Sequence, residues 1–253
     1  MWSILAILNY CVRIFTMTYR NHARANKSLI LINAIVAYIS VGISFSLILI
    51  GYYANSENID LTEPTLLGNS VNGTDQVWER FFDWISYFTI WSNIVVAIVL
   101  TVLWLRPDVF ERNNASGTRW RALRLDSILM ITITGIVYNV LLAEPKTGID
   151  AVSNAMIHIV NPIFTLLVFL ITGPRGLLRI STVFYSLVVP ITWATFAIVR
   201  GMTLNSYPYP FFDVSENGLP YVLMFVAQIM ALAVVLALVL LGYDKLMTKG
   251  RRT

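Results

Sequence analysis

The chain is short of charge. Only 13% of its 253 residues are Asp, Glu, Lys or Arg, where soluble domains carry about a quarter. One cysteine, Cys11, excludes an internal disulfide. CxxC pairs, metal-ligand clusters and glycine-rich phosphate loops are all missing, so no metal and no cofactor is implied. The net charge of +4 is confined to particular loops and gives no sign of nucleic-acid binding. What fills the chain instead is apolar sequence, 57% of it. The expected class is all-α: a polytopic membrane bundle, because isolated backbone polar groups have no partner in a bilayer except within helices.

Six apolar runs are long enough to cross a hydrocarbon core of about 30 Å, which takes roughly 20 residues. They are Leu29–Tyr53, Phe82–Leu105, Leu123–Ala143, Val152–Thr172, Leu177–Val199 and Leu219–Leu241. Basic residues gather before the first run, between the second and third, between the fourth and fifth, and after the sixth. The alternate connections carry acids such as Glu57, Asp60, Glu144, Asp150, Asp213 and Glu216. The positive-inside rule then predicts six spans in a cell membrane with both termini cytoplasmic. The organisation expected is an N-terminal segment 1–28, a six-helix domain 29–243 and a basic tail 244–253. Residues 1–18 are apolar but short and contain Asn9 and Arg13. They read first as a short interfacial helix and second as a seventh span; no small-residue cleavage site follows them. The connection 55–83 is the longest, polar and rich in Asn, Gly, Ser and Thr, and is expected to form an irregular lid bearing the sequon Asn72-Gly-Thr74.

Within the spans, polar residues are few and patterned. His158 is the only histidine in a strongly apolar segment, and imidazole at membrane depth is a functional-site hypothesis by default. Asn154 and Asn161, four before it and three after it, share its helical face. The second span places Ser86, Thr89 and Asn93 at helical spacing, and the third ends near Asn139. Thr89 and His158 each lie about 10 Å below the outer interface, counted at 1.5 Å per residue. A hydroxyl beside a neutral imidazole is the minimal pair for nucleophilic acyl transfer, and Asn93, Asn139 or Asn161 could donate to the oxyanion. The competing reading is structural. Thr in membrane helices commonly bonds the preceding turn, and Asn commonly glues helices together. Asp126 is expected to pair with Arg124 or a neighbour.

The connection after the fifth span, VRGMTLNSYPYPFFDVSENG, is a stiff aromatic segment suited to an interface belt. Its Tyr207 and Tyr209 are candidate substrate contacts. Arg200 stands on the side disfavoured for basic residues, either snorkelling to phosphates or capturing an anionic headgroup or carboxylate.

The segments YFTIWSN (Tyr87–Asn93), HIVNP (His158–Pro162) and VRGMTLNSYPYPFFD (Val199–Asp213) resemble a bacterial family of six-transmembrane proteins. That family is distantly related to the vertebrate androgen-induced and androgen-dependent TFPI-regulating membrane proteins. The resemblance runs from the first span to the sixth. It implies a hydrolase of fatty acid esters using an intramembrane threonine and histidine, which fall on Thr89 and His158. The His-to-Pro spacing here is one residue shorter than in the vertebrate proteins. The expected partners are membrane lipids and a hydrophobic ester. A carrier or lipid-binding protein without catalysis is the alternative reading, and a partner-binding membrane protein recognised through the Tyr-Pro loop is a third.

Overall fold

The computed structural model describes residues 2–52, 77–173 and 175–249. The sequon and most of the expected lid lie outside these. Every element among the described residues is helical, and six helices are long and apolar enough to cross a membrane.

Helix α1 (Trp2–Leu49) is continuous over 48 residues. Its sequence has no proline, and no glycine before Gly42, to interrupt it. The short separate N-terminal helix expected from residues 1–18 is therefore corrected: that segment runs unbroken into the first span, Asn26–Leu49. The expected lid is corrected at its end, where Val77–Ser86 forms α2. Helix α3 (Phe88–Leu105) begins after a break at Tyr87, whose backbone is extended at φ −75°, ψ 134°. The turn α4 (Asp108–Glu111) leads to α5 (Ala115–Val137), capped by the Asn114 side chain accepting from Gly117 N–H.

Two spans contain wide turns. A π-turn, Tyr138–Leu142, ends α5, and a second, Met156–Val160, separates α6 (Gly148–Ala155) from α7 (Asn161–Thr172). The fifth span is interrupted between α8 (Ile180–Tyr185) and α9 (Val188–Leu204), just before Pro190. Asn205, in the left-handed region at φ 50°, ends α9 and turns the chain into the Tyr-Pro segment. The small helix α10 (Val214–Asn217) and the long α11 (Leu219–Lys249) are the last elements among the described residues.

Polar pairs fix the helix directions. Asn33 bonds Asn161 and Thr165 while Ser40 bonds the Met156 carbonyl, so the first and fourth spans run antiparallel. Thr89 meets His158 while Asn93 meets Asn161, so the second and fourth run parallel. Small residues allow close approach in a setting without a hydrophobic drive between helices: Ala34 and Ala37 of α1 pack on Ala97 of α3. At one end of the bundle α5 and α11 touch through Leu125, Leu129, Ala237 and Leu241. At the other, an aromatic cluster built on Trp84, Tyr87, Trp193, Tyr209 and Phe212 forms the core.

Candidate active site

The break at Tyr87 creates the site. In an unbroken helix Thr89 N–H would bond the Ile85 carbonyl, and Ile90 N–H the Ser86 carbonyl. Two indoles take those acceptors instead. Trp91 Nε1 donates to Ile85 O at 2.7 Å, and Trp193 Nε1, from α9, donates to Ser86 O at 2.9 Å. Ile90 N–H turns to Tyr87 O. Thr89 thereby stands in the first turn of α3, with its N–H free of the helix and donating to Tyr209 Oη at 3.3 Å. The helix N-terminus also brings partial positive charge to this point. Ser86, expected on the same face as Thr89, falls before the break, and its hydroxyl bonds Asp83 O.

His158 is carried by the π-turn of the fourth span, a feature often found at functional sites. Asn161 N–H reaches back five residues to Met156 O. Pro162 has no N–H to give to the His158 carbonyl, and the Asn139 amide supplies one at 3.2 Å. Gly135 makes the approach possible: a Cβ there would lie 3.0 Å from Pro162 Cβ and 3.3 Å from His158 O.

Thr89 Oγ1 lies 3.2 Å from His158 Nε2, and His158 Nδ1 lies 2.8 Å from Asn154 Oδ1. An amide oxygen only accepts, which assigns the hydrogen to Nδ1 and the lone pair to Nε2. Thr89 then donates to the imidazole, and the Tyr209 hydroxyl, 3.3 Å from Thr89 Oγ1, donates to the threonine. Burial raises the Tyr209 phenol above its ordinary value, and its contacts with Thr89 lower it less; it remains a donor. Tyr138, in the other π-turn, stacks on the imidazole with centroids 3.6 Å apart and planes 10° apart.

The threonine opens onto an apolar cleft of about 550 Å³ counted to its open side. The cleft lies between α3, α5, α9 and α11, beneath the 209–212 aromatics. Tyr138, Trp193, Phe211 and Met230 are among its walls, and Thr89 and Thr134 are polar points in it. The imidazole sits behind Tyr138, buried.

The remaining candidates fall elsewhere. Asn93 commits both amide hydrogens, to Thr89 O at 2.8 Å and Ile157 O at 3.3 Å, and accepts from Asn161 at 2.7 Å. Asn139 commits both of its own, to Gly135 O and His158 O. With no hydrogen left to give, neither is an oxyanion donor here; they hold the backbone around the pair. Asn161 is fully buried in a network with Asn33, Asn93 and Thr165. Arg200 is ion-paired with Asp83 and donates to Ser206, so its position is balanced within the protein rather than by a captured headgroup. The Tyr207 ring lies against Gly201 and is not part of the cleft wall; Tyr209 is. Asp126 does not pair with Arg124: two residues apart on a helix, they point to opposite sides, and among the described residues neither carboxylate oxygen has a hydrogen-bond partner.

Two contacts were not singled out as site residues from the sequence. Asn154 carried a signal, its four-residue offset from His158. Tyr138 carried none, since a tyrosine in an apolar run is ordinary. The fold is that of a multi-pass helical membrane protein. Comparison of the chain with protein-family models, curated proteins and solved structures found no match.

Proposed function

We propose that this protein is an intramembrane hydrolase of lipid esters, with Thr89 as nucleophile and His158 as general base. One observation carries the reading: Thr89 Oγ1 lies 3.2 Å from the ring nitrogen His158 Nε2, which is free to accept, at the wall of an apolar cleft. Thr89 Oγ attacks the ester carbonyl as its proton passes to Nε2. The tetrahedral intermediate collapses, the alcohol leaves with the proton from His158, and an acyl-threonine remains. Water then attacks with His158 again as base, releasing the fatty acid and restoring the threonine. Tyr209 and the α3 N-terminus stabilise the developing negative charge. Asn154 holds the imidazole in the accepting tautomer. The apolar walls of the cleft suit an acyl chain entering between α5 and α11. Val137 and Met230 there are partly exposed. The resemblance to the six-transmembrane family leads to the same pair, and membership of that family is part of this proposal.

The test is covalent labelling of purified protein by a long-chain fluorophosphonate, together with turnover of a fatty acid ester. Thr89→Ala and His158→Ala are each expected to lower both by at least roughly a thousandfold, with unchanged elution and helicity. Wild-type activity in both variants would end the proposal. Saturable binding of the ester to Thr89→Ala and wild type alike, with turnover by neither, would favour the lipid-binding alternative, for which the apolar cleft alone suffices.

A further inference from the structure

A second polar feature lies on α5 ten residues before Thr134, about 15 Å along the helix. Arg124 is fully buried, and its Nε, Nη1 and Nη2 have no hydrogen-bond partner among the described residues. Nη1 of Arg175, in the connection between the fourth and fifth spans, is likewise buried and unpartnered. The two guanidinium carbons lie 5.5 and 5.7 Å from the centroid of the Phe169 ring, and Arg175 also lies 5.0 Å from that of Tyr243. Their charges are close enough to repel.

Neither arginine takes part in an ion pair among the described residues. Asp244, the acid packed on this connection, accepts from the backbone N–H groups of Gly176 and Leu178 instead. Arg175 Nη2 donates to the Leu170 carbonyl, which also accepts from Tyr243. These contacts fix the Arg175 head and leave its other fork facing inward. A shared aromatic ring offsets a small part of the desolvation of two guanidinium groups. An anion would offset much more, and paired guanidinium forks match the oxygens of phosphate. The surrounding sequence, with Arg119, Arg121 and Arg179, is the basic end of the bundle.

We propose that Arg124 and Arg175, grouped around Phe169, bind a phosphate anion, supplied by the headgroup of a phospholipid at the basic end of the bundle. This site is separate from Thr89 and does not rest on the hydrolase reading.

The experiment uses the full chain, delipidated in a neutral maltoside detergent. Its thermal midpoint is read against added dioleoylphosphatidylglycerol, dioleoylglycerol or sodium phosphate. Phosphatidylglycerol is expected to raise the wild-type midpoint by several degrees, and dioleoylglycerol, which lacks the phosphate, to leave it unchanged. Arg124→Met and Arg175→Gln are each expected to need at least ten times more phosphatidylglycerol for half the shift. Without additive, Arg124→Met should melt no lower than wild type, because it removes an uncompensated charge; a merely packing role for the side chain predicts the reverse. Should that variant fail to fold, the partly exposed Arg175→Gln carries the affinity comparison alone. An equal shift from sodium phosphate would support the anion site and replace the lipid by free phosphate. No shift with either phosphate source, or variants that respond as wild type does, would overturn the proposal.

Discussion

Replacing Asn154 tests the arrangement at its least obvious member. His158 Nδ1–H donates to Asn154 Oδ1 over 2.8 Å, and this bond assigns the accepting lone pair to the nitrogen facing Thr89. Asn154→Leu removes the side-chain acceptor. The buried ring can then recover a hydrogen bond by moving its hydrogen to Nε2 and donating to the threonine, a form that cannot take a proton from it. During acyl transfer the ring becomes cationic, and a hydrogen bond to a charged group contributes about 1.5–3 kcal/mol. Its loss corresponds to roughly 10- to 150-fold in acylation rate. Asn154→Asp keeps an acceptor at the same place and should retain most of the rate. Two readouts separate positioning from structure. The first is the rate of fluorophosphonate labelling. The second is the ¹⁵N shift pair of His158, resolved by removing the only other histidine with His22→Gln. Leu at 154 should slow labelling and convert the ring to the Nε2–H tautomer, and Asp should do neither. An Asn154→Leu protein that keeps the Nδ1–H tautomer, or changes tautomer with labelling within twofold of wild type, would refute the reasoning.

Other expectations follow from single contacts. Tyr209→Phe deprives Thr89 N–H of its acceptor and the site of a donor; it should cost about 1–3 kcal/mol in stability and about 10²–10³ in acylation, measured by denaturant titration in detergent and by labelling. Trp193→Phe leaves Ser86 O without the indole hydrogen and should lower stability by about 1–3 kcal/mol, read as a fall in thermal midpoint. Gly135→Val forces α5 away from Pro162 and the His158 carbonyl; about 1–3 kcal/mol of destabilisation is expected, with loss of labelling as the Tyr138–His158 stack opens. At Gly201 an added Cβ would sit 1.9 Å from Tyr207 Cε1. Gly201→Ala should therefore destabilise, and Tyr207→Ala in the same chain should restore most of the loss, a coupling measurable as a double-mutant cycle.

The apolar runs determined the class of fold by themselves, because length and hydropathy are local quantities and a bilayer admits little besides helices. The spacing of Asn154, His158 and Asn161 was equally legible, since residues three or four apart share a helical face whatever surrounds them. The depth estimate that brought Thr89 level with His158 used only the helical rise. Tertiary structure decided what repetition along a helix cannot express. The break at Tyr87 depends on indole hydrogens from Trp91 and Trp193, the second 107 residues from the Ser86 carbonyl it meets. The amides of Asn93 and Asn139 looked free in the sequence, yet the backbone carbonyls of Thr89, of Ile157 in the π-turn and of His158 before Pro162 claim them. Arg200 looked like an unbalanced charge until α9 met Asp83, whereas Arg124, expected to pair with Asp126, is fully buried with no hydrogen-bond partner among the described residues. The reason is the same in each case: hydrogen-bond donors and charges are assigned by what lies opposite them in space, and the chain alone fixes only what lies beside them.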